Sequence, residues 1–427
     1  MYIDPRRKIM TQVKNKYTAA KLACYMGYIT QAAVVNLAPL LFVIFSEKFG
    51  VSYEMLARIV LINFIVQISA DLISIKLSRR FSLRQLSVTA HVFCAAGFLL
   101  FAFLPQALGY AGVLLSTMVY SFGGGMIEVV VNPVIDACDE ECGGEKSPAA
   151  IAILHSFYCW GHILVVAVST LFLHFAGNDM WYILPLIWSV VPIINIFFFG
   201  SVKMPDGSTE GGGLSLKKLF SMKLFLLAAI LMITGGAAEQ AVAQWSSMFA
   251  EKGLGISKMM GDLLGPMCFA LCMAIVRIIA GLLGNRIDTK KILMASSALC
   301  IVSYSMMVFV NNPVVSLIGC SLSGIAVAFM WPGVLSLTSR EIPHGGASMF
   351  GALAFFGDVG CSIGPWIAGF VCDGAKLNYA SLAKTFSFFA NLDGDQIGLK
   401  CGIFAAIVFP IVMLITLGFF KKKKQTK

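Results

Sequence analysis

The stretch SFGGGMIEVVVNPVIDACDEE, residues 121–141, combines three adjacent glycines, a run of valines and a carboxylate within one apolar segment. Its length and composition predict a membrane-spanning helix, although a carboxylate near the bilayer centre costs about 3 kcal/mol on insertion scales. Glu128, Asn132 and Asp136 are spaced four residues apart and therefore share one helix face. That face must point into a helix bundle, because lipid would leave its polar groups without hydrogen-bond partners.

The whole chain is too apolar for a water-soluble fold. Of its 427 residues, 58% are hydrophobic and only 13% are charged, whereas soluble domains are about 25% charged. We therefore predict an all-α integral membrane protein with twelve transmembrane helices in two pseudo-symmetric six-helix bundles. The predicted spans are residues 22–45, 56–77, 86–104, 111–136, 150–173, 180–202, 223–250, 261–283, 291–310, 313–336, 347–371 and 400–420.

A Gly-rich polar stretch, MPDGSTEGGGLSLKKLF, separates the first six predicted spans from the last six. It predicts an N-terminal bundle of residues 1–203, a cytoplasmic linker of residues 204–221 and a C-terminal bundle of residues 222–427. Most of the 32 Lys and Arg residues lie on the inner side if both termini are cytoplasmic. The net charge of +10 then reflects the orientation of a multi-pass protein in the inner (plasma) membrane. We expect its basic C-terminal tail to contact anionic lipid and not nucleic acid.

Polar side chains recur inside several other predicted spans. On span 2, Asn63, Gln67 and Asp71 form a second polar stripe, and Asp71 is a candidate for a charge network or for a helix-packing contact. On span 5, His155 and His162 share a face, with Glu128 at nearly the same depth as His155. We expect a Glu128–His155 pair or, alternatively, a histidine bonded to a backbone carbonyl.

The second half of the chain supplies polar groups of its own. Glu239, Gln244 and Trp245 in span 7 are candidates for solute contacts, although Trp245 could instead anchor the helix at the membrane interface. Arg277 in span 8 needs an acid in span 7 or 11, with Asp358 as the candidate, or else extends its side chain toward the inner surface.

No catalytic constellation is present in the sequence. It contains no G-x-S-x-G elbow, no P-loop for an ATP-driven pump and no Cys/His metal set. We therefore expect neither enzyme activity nor a cofactor nor a metal.

Two loops at equivalent places in the two halves resemble a family motif. GLLGNRIDTKK, residues 281–291, and IKLSRRFSLRQ, residues 75–85, both resemble the G-x-L-x-D-R-x-G-R-K loop of the major facilitator superfamily. In that family this loop latches neighbouring helices on the cytoplasmic side, so the resemblance implies a gating charge network that includes Arg286. Arg79 replaces the motif's Asp in the first loop, and Asn285 replaces it in the second.

Three segments resemble the fucose permease branch of that superfamily, the fucose–galactose–glucose proton symporters. They are GGGMIEVVVNP in span 4, GGAAEQAVAQW in span 7 and the Pro-centred FMWPGVLSLTSREIPHGGASMFG from span 10 to span 11. The resemblance implies that Glu128 lines the sugar cavity and takes part in proton coupling, and that Glu239 matches the acid of span 7.

The chain departs from this branch at two places. The branch has an Asn-Asp pair in span 1, where this chain has Val34 and Val35, and the nearest polar groups are Gln31 and Asn36. The branch's sugar-binding Gln and Asn of span 5 align with His155 and Tyr158.

The expected function is secondary active transport by alternating access, with proton-coupled symport of a sugar or similar small polar solute. The alternatives are efflux or uniport of another substrate on the same fold, and a non-transporting membrane sensor. The expected partners are the solute, protons and membrane lipids, and the protein is expected to be a monomer.

Overall fold

The structure is a computed structural model that describes residues 16–78, 80–141, 148–205, 214–283 and 288–420. Eleven helical segments of the described chain are long and apolar enough to cross a membrane, and a bent pair at the start makes twelve. The predicted number of spans is thus confirmed. From span 1 to span 12 the helices are Thr18–Leu40 with Phe42–Phe49, Tyr53–Leu77, Leu83–Leu108, Tyr110–Glu141, Pro148–Ala176, Ile183–Ser201, Lys223–Met248, Lys258–Asp262 with Cys268–Leu283, Thr289–Phe309, Pro313–Val327 with Met330–Glu341, Gly346–Leu377, and Gly394–Ala406 with Val408–Phe419.

Helix ends extend beyond the apolar runs because polar residues cap them. Span 12 begins at Gly394, six residues before its predicted start, since the Asp393 carboxylate accepts from the Gln396 amide at 2.8 Å. The Gln396 side chain accepts from the Asp393 amide in return, at 3.1 Å, which completes a capping box. A hydropathy window detects the apolar part of such a helix and not its capped end.

Spans 1 and 10 are broken at positions that serve other contacts. Span 1 bends by 46° between Leu40 and Phe42, directly after Pro39. Span 10 is interrupted at Ala328 and Phe329. Pro332 lacks the N–H that would bond to the Ala328 carbonyl one turn earlier, so that carbonyl is available to another partner.

The three glycines of span 4 let three other spans approach it. A Cβ on Gly123 would lie 2.4 Å from the Ala90 carbonyl oxygen of span 3, and one on Gly124 would lie 2.7 Å from Gln31 Oε1 of span 1. A Cβ on Gly125 would lie 2.5 Å from the Gln67 carbonyl oxygen of span 2. Real Cβ atoms do not come so close to backbone atoms, so Gly123 and Gly125 require glycine, whereas at Gly124 the side chains of span 1 would have to shift; the close approach packs spans 1, 2 and 3 against span 4.

Contacts between Cα atoms group the chain into two compact units. The first contains the described residues up to Val35, then Val66–His162, and then the chain from Tyr182 into the central linker. The second contains Asn36–Ile65, Ile163–Trp181 and the C-terminal half. The ends of spans 1, 2 and 5 thus pack with the C-terminal half, whereas the predicted division at the linker, into residues 1–203, 204–221 and 222–427, stays a prediction.

Candidate functional site

The polar residues predicted on spans 1, 2 and 4 come together in the first unit. The Gln31 amide nitrogen donates to Gln67 Oε1 at 2.6 Å and lies 3.5 Å from Glu128 Oε2. The Asp71 carboxylate lies against Gly125, three residues before Glu128 on the same face of span 4, since a Cβ on Gly125 would lie 2.9 Å from Asp71 Oδ1. Gln31 and Gln67 are buried, whereas Asp71 and Glu128 are half-buried. This acid cluster, composed of Gln31, Gln67, Asp71 and Glu128, places two carboxyl groups and two amides within the membrane-spanning part of the unit.

The side chain of Tyr28 in span 1 contacts residues of both span 4 and span 5. The Asn132 amide nitrogen lies 3.4 Å from the hydroxyl oxygen of Tyr28 and donates to the Glu128 carbonyl oxygen at 3.2 Å. The Tyr28 hydroxyl lies 3.5 Å from His155 Nε2, and the two rings meet edge to face with centroids 5.1 Å apart. Tyr28 therefore connects the predicted site residues of spans 4 and 5.

Three oxygen atoms in this region have no hydrogen-bond partner among the described residues. They are Gln31 Oε1, Asp71 Oδ1 and Asn132 Oδ1, and all three are buried. Buried polar atoms are normally hydrogen-bonded, so such a group of unused acceptors is unusual. Each of them can accept a hydrogen bond from a hydroxyl group or from water.

The expected direct pair of Glu128 and His155 stays a prediction. Within the described part of the chain, Glu128 contacts the amide of Gln31, while His155 contacts Tyr28. The depth of the two residues along their helices did not reveal that Tyr28 of a third helix contacts His155. His162 is buried, and Tyr158 is half-buried one turn before it.

In the second unit, Glu239 and Arg277 form a buried ion pair. Arg277 Nη2 lies 3.0 Å from Glu239 Oε2, and the two side chains are only 16% and 9% exposed. Arg277 Nε also donates at 3.2 Å to the Ala328 carbonyl, the oxygen that Pro332 leaves available. The expected acid in span 7 is thus Glu239, while Asp358 is buried in span 11 and its pairing with Arg277 stays a prediction.

The remaining candidate residues of the second unit contact their own helix or a neighbouring helix. The Gln244 amide nitrogen donates to Gln240 Oε1 at 2.8 Å, and Gln244 is buried. Trp245 Nε1 donates to the Pro365 carbonyl oxygen at 3.0 Å, and its ring packs on Phe42. Asn36 is also buried. Their proposed contacts with solute stay predictions.

Parts of both motif loops lie outside the described residues, and these parts include Arg286 and Arg79. The gating charge network that was expected to include Arg286 therefore stays a prediction. Among the described residues, no group of three or more His, Cys, Asp or Glu side chains could hold a metal ion.

One part of the site, Tyr28, was not predicted from the sequence. Tyr28 lies three residues before Gln31 and hence on the same helix face, which could have identified it.

A bundle of twelve membrane-spanning helices with carboxyl, amide and imidazole groups inside its units is the architecture of a secondary transporter. The sequence pattern of the Major Facilitator Superfamily matches residues 26–365, and the chain belongs to that family. A comparison with curated proteins finds no match.

Several solved transporters have a similar fold. The D-xylose-proton symporter is 14% identical with a TM-score of 0.74, and the alignment covers 95% of this chain and 98% of that one. The nucleoside transporter NupG is 13% identical with a TM-score of 0.68, and the alignment covers 96% of this chain and 100% of that one. A variant of the E. coli fucose:proton symporter, FucP, is 16% identical with a TM-score of 0.63, and the alignment covers 96% of this chain and 100% of that one. At these identities the likeness concerns the fold alone.

Proposed function

We propose that this major facilitator is a proton-coupled symporter of a sugar or a similar small polar solute. The observation that supports this most is the acid cluster, in which Glu128 accepts from Gln31 and Asp71 lies against the same face of span 4. Two neighbouring carboxylates in a low-dielectric site repel each other, and a proton bound to one of them relieves the repulsion. A group that gains and loses a proton as its surroundings change is what proton coupling requires.

The acid cluster also compensates for a departure from the fucose permease branch. Val34 and Val35 occupy the places of the branch's Asn-Asp pair in span 1, so its proton site is missing there. In this chain Asp71 of span 2 supplies a second carboxyl group, which lies against Gly125 on the face of span 4 that carries Glu128. Glu239 is the second candidate for coupling, although its carboxylate is engaged with Arg277.

The hydrogen-bonding groups near Glu128 support this class of solute. Gln31 Oε1 and Asn132 Oδ1 are acceptors without a partner in the described chain, and a polyhydroxylated solute brings hydroxyl donors. His155 and the hydroxyl of Tyr28 can each donate or accept, and they lie beside Asn132. Two of the similar solved structures, the D-xylose-proton and fucose:proton symporters, are named for such solutes and for protons.

The remaining elements of the proposal concern the setting of the protein. It works as a monomer in the inner (plasma) membrane with both termini in the cytoplasm, and it moves solute by alternating access around a site near the bilayer midplane. The Lys and Arg distribution supports this orientation.

Uptake of labelled solutes into proteoliposomes tests the proposal. An imposed pH gradient should drive accumulation of one monosaccharide or polyol from a panel, and a proton ionophore should abolish the accumulation. Equilibration without accumulation would instead indicate uniport, and extrusion would indicate efflux. Accumulation driven only by a sodium gradient would assign the unused oxygen acceptors to Na⁺, and no transport of any panel member would favour a sensor.

A further inference from the structure

A buried serine of span 2 lies one turn from the acid cluster. Ser74 follows Asp71 by three residues and Gln67 by seven, so the three side chains share one face of the helix. That face meets span 4, because Gln67 and Asp71 both lie against Gly125. Ser74 is fully buried, and the acid cluster therefore continues along span 2 as a buried polar row.

The hydroxyl of Ser74 differs from those of other buried serines in the first unit. Ser87 of span 3 donates to the Leu83 carbonyl oxygen at 2.8 Å, and Ser116 of span 4 donates to the Gly112 carbonyl oxygen at 2.8 Å. A serine inside a helix commonly bonds to the preceding turn in this way. Ser74 Oγ has no hydrogen-bond partner among the described residues, so its hydroxyl is available to a group outside its own helix.

Three buried oxygen atoms without a partner in the described chain follow one another toward the ends of spans 2 and 4. They are Asp71 Oδ1, Ser74 Oγ and Asn132 Oδ1. The two spans run in the same direction, and Gly125 lies level with Gln67 and Asp71. At about 1.5 Å per residue, Ser74 then lies about 4–5 Å beyond Asp71, and Asn132 about 3 Å further. The row leads toward the membrane face on which the described chain begins.

Buried polar atoms of this kind are the usual partners of bound water. A buried water makes about three hydrogen bonds to polar groups that the protein leaves unsatisfied. Leaving a buried hydroxyl without any bond costs free energy, which a water molecule offsets. Side chains three residues apart on a helix have Cβ atoms about 5–6 Å apart, and one water with two hydrogen bonds of about 2.8 Å spans that distance. Asp71 and Ser74 have this spacing.

The chemistry of the three groups in the row suits proton transfer. The Asp71 carboxyl group can give or take a proton, and the Ser74 hydroxyl both donates and accepts a hydrogen bond. An amide oxygen only accepts, so Asn132 can hold a water or a solute hydroxyl but cannot pass a proton on. When Ser74 takes a proton from one water it gives its own to the next, so each O–H bond that breaks is replaced by another.

We propose that Asp71 and Ser74 hold a bound water that carries protons between the acid cluster and the membrane face on which the described chain begins. The inference rests on the proposed proton coupling and adds the route by which the proton reaches or leaves the coupling site. Leu72 and Ile73 are apolar, so Ser74 is the first polar side chain of span 2 after Asp71. Ser74 is a positioning residue, because it acts through the water and not on the solute.

Transport by Ser74→Ala in proteoliposomes tests the relay. The variant removes the hydroxyl and leaves every side chain of the acid cluster in place. The initial rate of uptake driven by a pH gradient, divided by the rate of counterflow, should fall about fivefold or more, because only the first requires net proton transfer. Ser116→Ala is the matched control: this serine is equally buried but bonds to its own helix, and its ratio should be unchanged.

Two further measurements separate a relay from a merely structural role. Ser74→Ala should increase the ratio of the uptake rate in H2O to that in D2O, because proton transfer then limits the rate. A packing defect would instead lower uptake and counterflow together and leave this isotope ratio unchanged. Ser74→Thr keeps the hydroxyl and should retain the uptake-to-counterflow ratio of the unmodified protein.

Thermal unfolding tests the bound water independently of transport. Both alanine variants gain the same helix propensity, but a dry hydroxyl at Ser74 would also release its desolvation cost on replacement. We expect the midpoint of Ser74→Ala to be no higher than that of Ser116→Ala. A higher midpoint would overturn the proposal, and so would equal uptake-to-counterflow ratios in the two variants. Failure of the proposed function is a different result, since the unmodified protein would then show no accumulation driven by a pH gradient.

Discussion

Gln31 and Glu128 are joined across spans 1 and 4, with the amide nitrogen 3.5 Å from Glu128 Oε2. The same amide nitrogen donates to Gln67 of span 2, so one side chain links three spans around the carboxylate. Movement of any of these helices changes the donors that Glu128 faces. This arrangement connects the position of the helices to the protonation of the group that we propose for coupling.

The glycines of span 4 are predicted to determine how closely that cluster is packed. Gly125→Ala should lower the free energy of unfolding by about 1–3 kcal/mol, because the new methyl group would overlap the Gln67 backbone of span 2. Gly200→Ala in span 6, where a Cβ meets nothing within 4 Å, is the control and should be neutral or slightly stabilising. Thermal unfolding in detergent measures both, and equal midpoints for the two variants would contradict the packing account.

The contacts of Tyr28 with Asn132 and His155 predict unequal roles for the two histidines of span 5. His155→Ala should weaken solute binding by about 1–3 kcal/mol, because it removes a hydrogen-bonding group beside Tyr28 and Asn132. His162→Ala should weaken it less. Titration calorimetry with the transported solute compares them, and equal affinities would remove the case for His155.

The two members of the buried ion pair, Glu239 and Arg277, should depend on each other for their effect on stability. Arg277→Gln leaves the Glu239 carboxylate without this partner and should cost on the order of 3–5 kcal/mol of stability. The double variant Glu239→Gln with Arg277→Gln should recover much of the loss, because no charge is then left uncompensated. Thermal unfolding of the single and double variants decides the point, and a double variant no more stable than Arg277→Gln would count against the pair.

The orientation of the protein can be tested by labelling single cysteines in an otherwise cysteine-free variant. Cys138 itself is unsuitable, because its thiol is fully buried. Glu140→Cys at the exposed end of span 4 should stay unlabelled by an impermeant maleimide in intact cells, whereas Lys384→Cys between spans 11 and 12 should react. The reverse pattern would show that the Lys and Arg distribution predicted the wrong orientation.

How much the sequence alone reveals differs between parts of the molecule. The twelve spans follow from apolar length, and the polar faces of spans 2 and 4 follow from helical spacing, so Asp71, Glu128 and Asn132 were identified correctly as intramembrane polar groups. Which helices approach one another is not encoded in spacing along one helix. The link from Asn132 through Tyr28 to His155, and the choice of Glu239 as a partner of Arg277, therefore required the structure.

Breaks and caps are a second reason why the sequence reading was incomplete. Pro332 predicts an unused carbonyl, but only the fold shows that Arg277 of span 8 donates to it. The helix start at Tyr53 looks like an ordinary end in sequence, and its cap comes from Asp373, more than three hundred residues away. Such distant contacts depend on tertiary packing and leave no local pattern.

The central claim is that Glu128 carries the coupling proton, and Glu128→Gln tests it most directly. Glutamine keeps the shape and most hydrogen bonds of the side chain but cannot titrate. In proteoliposomes the variant should lose accumulation driven by a pH gradient and retain solute counterflow, which needs no net proton movement. Glu140→Gln, an exposed carboxylate of the same helix, should leave both activities unchanged. Accumulation by Glu128→Gln at the level of the unmodified protein would contradict the account and leave Glu128 as a helix-packing residue.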